Sequence, residues 1–242
     1  YDRAMEELDG WFILRDTFIK TLIKETEKNS DIILITGDLG FGVLDEFINK
    51  FPDNYINAGV AEQNMTGMAA GMAMDGRIVF TYSIGNFPTL RCLEQIRNDI
   101  CYHNLNVNIV SIGGGFSYGA LGMSHHATED IAIMRSLPGM TVFSPCGLWE
   151  AENATRKIIK IDGPSYLRVD KSQGNDLPTN GKNNDFIIGK SRRLQEGYDC
   201  TIFVTGGILE EVQSASKKLL GKNINSPIHL FFSEALSIWS SQ

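Results

Sequence analysis

Short apolar runs alternate with helix-like segments along most of the chain. The runs are rich in Ile, Val and Phe on both faces, which is typical of strands covered on both sides in a parallel sheet. They are DIILIT, RIVFTYS, VNIVSI, MTVFSP, SYLRV, CTIFVT and IHLFF. Helical periodicity extends over residues 15–29, 62–74, 89–102, 148–159 and 208–220. This alternation predicts an α/β fold with a doubly wound, mainly parallel sheet.

Composition divides the chain into four predicted segments. Residues 1–13 fit poorly with the pattern that follows, and we interpret them as a leader or an added extension. Residues 14–170 are predicted to form the main domain. Residues 171–184 are polar and rich in Asn, Gly and Pro, as a linker is. Residues 185–242 begin as strand, helix and strand, and we expect this second α/β unit to be truncated or completed by another chain.

Bulk composition excludes several classes of function. The chain has 242 residues, a net charge of −7 and scattered Lys and Arg residues, so nucleic acid is not an expected partner. No apolar run approaches the roughly 20 residues that span a bilayer, so no membrane association is predicted. The four cysteines lie far apart without a CxxC pair, which predicts reduced thiols in a cytoplasmic protein and no metal site.

One carboxylate stands at the start of an unusual helix. Glu62 lies in NYINAGVAEQNMTGMAAGMAMDG, where most of the following residues are Ala, Gly and Met. The small residues predict close packing against a neighbouring backbone. A carboxylate in the first turn interacts favourably with the helix dipole, so stabilisation of its own helix is one interpretation of Glu62.

The motif around this glutamate resembles a known family. NAGVAEQN is similar to the segment with the cofactor-activating glutamate in transketolases, 1-deoxyxylulose-5-phosphate synthases and beta chains of pyruvate dehydrogenase-type enzymes. The resemblance continues through VFTYS, the Arg-containing helix before NDI, IGGGFSYGALGMSHH, MTVFSPC and GPSYLRVD, and so covers about residues 14–170. It implies the pyrimidine-binding domain of a thiamine-diphosphate enzyme, with the start of the family's third domain after it.

The resemblance gives Glu62 a chemical role and suggests aromatic partners for the cofactor. Glu62 would hydrogen-bond the aminopyrimidine ring of thiamine diphosphate and favour its imino tautomer. Phe87 and Tyr82 correspond to the family's aromatic position and are predicted to contact that ring. Either side chain is also a natural core residue, because aromatic groups fill cores by default.

Two adjacent histidines follow in the glycine-rich loop. The SHH sequence stands at the place of the family's THQ, so His125 is expected to contact the substrate and the reacting intermediate, with His126 as a further substrate contact. The sequence offers them no third ligand for zinc. A hydrolase pair of Ser124 with His125 is disfavoured, because neighbouring side chains rarely meet as nucleophile and base and no nucleophile elbow is present.

Two arginines are predicted to bind substrate. Arg168 in PSYLRVD corresponds to the family's arginine for the phosphate end of a sugar, and pairing with Asp170 is the alternative. Arg91 stands where the synthase branch has a phosphate-binding arginine.

Three positions depart from the family's pattern. Leu121 replaces an acidic residue that reads a sugar hydroxyl, Gly113 replaces a histidine and Gly42 replaces a serine that contacts phosphate. These departures put an ordinary pentose phosphate in doubt and favour an unusual keto-sugar donor or a bulkier acceptor.

Half of a transketolase site is missing from this chain. The family holds the diphosphate and Mg²⁺ with a GDG followed by a distant Asn, whereas GDLG at residues 37–40 lacks that continuation. The predicted function is the pyrimidine-binding subunit of a split transketolase, with a diphosphate-binding N-terminal subunit in an α2β2 assembly and a small sugar as substrate. The alternatives are a 2-oxoacid decarboxylating beta chain, a 1-deoxyxylulose-5-phosphate synthase fragment and a non-catalytic stabilising subunit.

Overall fold

A computed structural model describes residues 13–170, 185–231 and 233–235. The predicted linker and, apart from residue 13, the predicted N-terminal segment lie outside the described residues. No helix in the described ranges is long and apolar enough to cross a membrane.

Within those ranges, seven strands form the main sheet in the order β10-β5-β6-β4-β3-β1-β2. Six of them are parallel, and β10 pairs antiparallel with β5. The α/β fold with a mainly parallel sheet is therefore confirmed. The strands are β1 (Ile32–Thr36), β2 (Tyr55–Asn57), β3 (Ile78–Ile84), β4 (Val107–Ile112), β5 (Thr141–Phe143), β6 (Ser165–Val169) and β10 (Ser233–Ala235).

Helices cover both faces of this sheet. Helices α1 and α6 pack on one face with Phe18, Phe80 and Leu167, and α3 packs on the other with Met65 and Val79. Successive strand residues point to opposite faces, so each apolar strand supplies side chains to the apolar cluster on each face of the sheet. The helices are α1 (Ile13–Thr26), α2 (Asp45–Lys50), α3 (Glu62–Met74), α4 (Leu93–Gln95), α5 (Asp130–Ser136), α6 (Leu148–Ile158) and α7 (Leu209–Leu220).

A second sheet follows the linker. In the described part of this unit, three strands are arranged in the order β7-β9-β8, where β7 is Arg192–Gln195, β8 is Ile202–Val204 and β9 is Ile228–Leu230. The predicted strand, helix and strand correspond to β8, α7 and β9, but the unit begins one strand earlier with β7, whose polar sequence has no apolar pattern. The β10 strand extends from this unit into the main sheet.

The helix predicted over residues 89–102 is not continuous. It comprises a 3-10 turn (Leu90–Cys92), the single α-helical turn α4 and a π-helical segment (Ile96–Cys101). The buried residues Cys92, Ile96 and Ile100, together with the partly buried Leu93, keep an apolar side toward the sheet through all three forms. Apolar periodicity therefore predicts the packing side but not the change in hydrogen-bond register.

Candidate active site

Three of the predicted site residues follow the carboxyl ends of parallel strands of the main sheet. Glu62 begins α3 shortly after β2, Phe87 follows β3, and His125 lies in the loop after β4. The carboxyl ends of parallel strands share one edge of a sheet, which is where α/β folds bind ligands.

Glu62 is a buried carboxylate with one charged partner. Its exposed fraction is only 3%. Its Oε2 accepts a hydrogen bond of 2.7 Å from Nη1 of Arg91. A Cβ on Gly37 would lie in ordinary contact with Glu62, at 3.4 Å from Cγ and 3.7 Å from Oε1, so the loop after β1 packs beside the carboxylate. The carboxylate is held in place by its helix, this loop and Arg91.

Arg91 links Glu62 to the predicted aromatic contact. Its guanidinium carbon lies 4.6 Å from the centroid of the Phe87 ring. A planar guanidinium over an aromatic ring gains a cation–π attraction. The structure therefore brings Glu62, Arg91 and Phe87 together, as a connected group of three side chains.

His125 extends this group on the other side of Phe87. The two ring centroids are 5.0 Å apart in an edge-to-face arrangement, and the Tyr118 ring lies 6.0 Å from the histidine. Ser124 Oγ is 3.0 Å from Nδ1 of His125, so these neighbours do meet, contrary to the expectation from their adjacency. Because Nδ1 contacts Ser124, Nε2 is the other ring nitrogen, and the substrate contact of His125 stays a prediction.

His126 stabilises the loop that contains His125. Its Nε2 lies 2.9 Å from the carbonyl oxygen of Gly119, and its ring packs edge-on against Phe116 at 5.0 Å. These contacts are within the glycine-rich loop, and the substrate role of His126 stays a prediction.

Tyr82 lies on the other face of the sheet from α3. Its ring stacks on Phe18 of α1 at 6.4 Å and is buried. Burial raises the pKa of the Tyr82 hydroxyl. The structure does not group Tyr82 with Glu62, and its predicted contact with the cofactor stays a prediction.

Arg168 is held by acidic side chains below the glycine-rich loop. Its Nε lies 3.1 Å from Asp130 Oδ2 and 3.5 Å from Asp170 Oδ1, and its Nη2 donates to the carbonyl oxygen of Ala127 at 3.3 Å. Tyr166 donates a 2.6 Å hydrogen bond to Asp130. Burial raises the pKa of Asp130, and the charge of Arg168 and this hydrogen bond oppose that shift. The alternative of pairing with Asp170 is present, and phosphate binding by Arg168 stays a prediction.

Two of the three departures from the family's pattern, Gly113 and Gly42, have local structural explanations. A Cβ on Gly113 would lie 2.4 Å from the Tyr118 ring, and the backbone φ there is +81°, so a larger residue does not fit. Leu121 is exposed in the same loop. Gly42 has a φ of +76° and donates its N–H to Asp45 at 3.1 Å. The Tyr118 ring occupies the space that a side chain at residue 113 would need. Tyr118 is a site residue that the sequence reasoning missed.

A second feature that the sequence reasoning missed lies beside Glu62. Asp38 has a left-handed backbone with φ of 58°, and it exchanges two hydrogen bonds with Asn57, at 3.0 Å and 2.9 Å. Strained backbone of this kind is concentrated at functional sites. The spacing of 19 residues between Asp38 and Asn57 carries no signal in the sequence, because the two meet only through pairing of β1 with β2.

The donor set fits an aminopyrimidine better than a metal ion. A buried carboxylate and an aromatic ring that contact the same guanidinium offer a hydrogen-bond acceptor and a stacking surface, which suit a flat heteroaromatic ring. Among the described residues, no group of three or more His, Cys, Asp or Glu side chains could hold a metal ion. Fold and site together define an α/β domain with a buried carboxylate, an arginine and an aromatic ring grouped at the carboxyl edge of its parallel sheet.

Comparison with known proteins agrees with this class. Residues 13–175 match the family model described as transketolase, pyrimidine binding domain. A chain of Methanocaldococcus jannaschii, provisionally named transketolase C-terminal section, is 38% identical over 216 residues, covering 89% of this chain and 68% of that protein. One of the subunits of the apulose-4-phosphate transketolase of Phocaeicola vulgatus is 33% identical over 215 residues, covering 88% and 69%.

A solved structure extends the likeness to three dimensions. The structure titled split gene transketolase, inactive beta4 tetramer, is 32% identical, with a TM-score of 0.80 over 90% of this chain and 70% of that one. This chain belongs to the transketolase pyrimidine-binding family, in the branch whose two halves are separate polypeptides. The resemblance found in NAGVAEQN and the assignment to transketolase-type transferases are confirmed.

Proposed function

We propose that this chain is the pyrimidine-binding subunit of a thiamine-diphosphate-dependent transketolase that moves a two-carbon ketol unit between sugars or sugar derivatives. The observation that supports it most strongly is Glu62, a carboxylate buried at a helix start and linked through Arg91 to the Phe87 ring. Burying a charge is costly, and a carboxylate at the ligand-binding edge of the sheet has a use in a catalytic subunit that it lacks in a stabilising one.

Glu62 and Phe87 would hold the pyrimidine ring. Thiamine diphosphate, when bound, supplies the nucleophilic carbon that adds to a carbonyl group. Glu62 would hold a proton at a ring nitrogen, and its burial strengthens that hydrogen bond because the local dielectric is low. Phe87 would exclude water from one side of the ring and fix its plane.

Histidine and arginine side chains would bind the sugar. His125 lies against Phe87 and presents Nε2, so it can donate or accept a proton at a substrate oxygen. His126, Arg91 and Arg168 are the further substrate contacts that we propose. The curated relative from Phocaeicola vulgatus is named for apulose 4-phosphate, which supports a sugar phosphate of unusual structure as the class of substrate.

A second polypeptide would complete the site. We propose that it holds the diphosphate and Mg²⁺ and that two copies of each chain form an α2β2 assembly. Exposed apolar side chains on the loops around the site support such a partner surface, namely Phe41, Val60, Phe116 and Met123. The related beta chain that forms a tetramer alone is described as inactive, which agrees with a need for a partner.

We further propose that this assembly works in the cytoplasm. The four cysteines are free, and three of them are buried. Free thiols persist in a reducing compartment.

The direct test is product analysis with the reconstituted pair of subunits. A ketose donor and an aldose acceptor are expected to exchange two carbons without release of carbon dioxide, and Glu62→Gln, which keeps the side-chain shape, is expected to lower kcat at least about 100-fold. Release of carbon dioxide from a 2-oxoacid would instead favour a decarboxylating beta chain. Full activity of the Glu62→Gln pair would favour a stabilising subunit.

A further inference from the structure

Arg91 contacts both of the groups that are proposed to receive the pyrimidine ring. Its Nη1 donates to Glu62 Oε2 at 2.7 Å, and its guanidinium carbon lies 4.6 Å from the Phe87 centroid. One planar side chain therefore has the carboxylate on its edge and the aromatic ring on its face.

A guanidinium and an aminopyrimidine would use these groups in the same way. Each is flat, each donates hydrogen bonds from its edge to a carboxylate, and each stacks on an aromatic ring. Because both would use the same carboxylate and the same ring, Arg91 in its present position competes with the cofactor for them.

The unequal burial of the ion pair indicates which member can move. The side chain of Glu62 is 3% exposed and that of Arg91 is 46% exposed. Glu62 is fixed in the first turn of α3, whereas Arg91 is a long side chain on a single 3-10 turn (Leu90–Cys92). A buried carboxylate without a partner is costly, so the chain without cofactor gains from an arginine at this position.

We propose that Arg91 is an exchangeable placeholder in the cofactor site. In the chain without cofactor it neutralises Glu62 and covers Phe87, and it leaves both when the pyrimidine ring binds. The released guanidinium then lies at the mouth of the site near His125, where it is available to an anionic group of the substrate. This inference rests on the proposed function, because it requires that the ring binds between Glu62 and Phe87.

The first part of the test measures the free chain. Arg91→Met keeps an apolar side chain over Phe87 and removes the charge. The matched control is Arg97→Met, which removes an exposed arginine whose hydrogen-bond partner is Asn98 at 2.9 Å. Arg91→Met is expected to shift the unfolding equilibrium of the free chain about tenfold toward the unfolded state, or about 1.4 kcal/mol. Equal stability of Arg91→Met and Arg97→Met would overturn the proposal.

The second part measures the binding of thiamine diphosphate with Mg²⁺ to the complex with the diphosphate-binding subunit, by calorimetry. If the ion pair must break, Arg91→Met binds about tenfold more tightly than the unmodified complex, because it no longer has that pair to lose. Arg97→Met is expected to leave the Kd unchanged. Unchanged or weaker binding by Arg91→Met would overturn the placeholder while leaving the proposed function intact. Absence of binding in every complex would reject the proposed function, and this inference with it.

Discussion

At the residue scale, the site depends on a few side chains for which the backbone makes room. Glycines at residues 113 and 114 lie where a Cβ would clash with Tyr118 and Arg168, respectively. The glycine-rich sequence IGGG is therefore a packing requirement of this loop, in addition to its freedom of backbone conformation.

Replacement of Gly113 tests this packing. Gly113→Ala is expected to lower the free energy of unfolding by about 2–4 kcal/mol, because it adds a clash with Tyr118 to the strain of a positive φ. Gly42→Ala is the matched control, since its φ is also positive but no atom lies within 4 Å of the added Cβ. It is expected to cost about 1–2 kcal/mol. Equal losses in thermal or urea unfolding would show that Tyr118 does not occupy the space beside Gly113.

Site residues differ in how far the sequence could predict them. Glu62, Phe87 and His125 stand in motifs that resemble a family, and the structure brings them together. The ion pair of Arg91 with Glu62 joins residues 29 positions apart through a 3-10 turn that apolar periodicity does not reveal. Tyr118 was missed because its ring packs against the space beside Gly113, a contact that no local sequence pattern shows.

At the element scale, α3 is the helix that places Glu62. Its bounds, Glu62–Met74, are those that the sequence predicted. Ala69 and Ala70 are buried against the sheet, whereas Gly67 and Gly71 are exposed with open space around them. The buried alanines thus allow close packing against the sheet, whereas the exposed glycines have no close packing to make within this chain.

Two substitutions in this helix test its buried and its exposed side separately. Ala69→Leu is expected to destabilise the chain by about 1–3 kcal/mol, since Ala69 is fully buried and an added side chain overpacks the core. Gly67→Ala is expected to stabilise the isolated chain by about 0.5–1 kcal/mol, since it removes a glycine from a helix interior without a clash. Denaturant unfolding of the free chain measures both changes. A loss of stability in Gly67→Ala would contradict the claim that the side of α3 with Gly67 is open to solvent.

Strands that are apolar on both faces were predictable, whereas short or polar elements were not. The runs DIILIT and VNIVSI correspond to β1 and β4. The short strand β2 and the polar strand β7 have no such pattern, and their pairing in the sheets determines them instead. Periodicity predicts elements that pack against a core, and it fails where hydrogen bonding to a neighbouring strand determines that a segment is a strand.

At the scale of the whole molecule, the segment after residue 184 packs on the main sheet. Asp170 accepts hydrogen bonds from Gly114 at 2.9 Å and from Gly207 at 2.7 Å, and so connects the glycine-rich loop to the second unit. Val204 and Leu230 belong to the same apolar cluster as α1 and α6. The predicted division at residues 171–184 did not anticipate this shared core, because contacts between distant segments leave no local pattern.

A buried ion pair joins the two units. Arg192 Nη1 lies 2.6 Å from Glu150 Oε1, their side chains are 12% and 2% exposed, and the guanidinium carbon lies 4.9 Å from the Trp149 centroid. Glu150→Ala is expected to cost about 3–5 kcal/mol, because Arg192 would lose its buried charge partner. The matched control is Glu152→Ala, at the residue two positions after Glu150 in α6, which breaks the more exposed ion pair with Arg156. It is expected to cost no more than about 0.5 kcal/mol. Similar melting temperatures for the two variants would contradict the joining role of Arg192.

The central claim is a cofactor site shared between this chain and a diphosphate-binding subunit. The most direct measurement is a calorimetric titration of thiamine diphosphate with Mg²⁺ into this chain alone and into the complex, with Glu62→Gln and the exposed Glu46→Gln as a matched pair of variants. The account predicts binding by the complex only, weakened by Glu62→Gln and unchanged by Glu46→Gln. Binding of equal strength with Glu62→Gln would contradict the central claim.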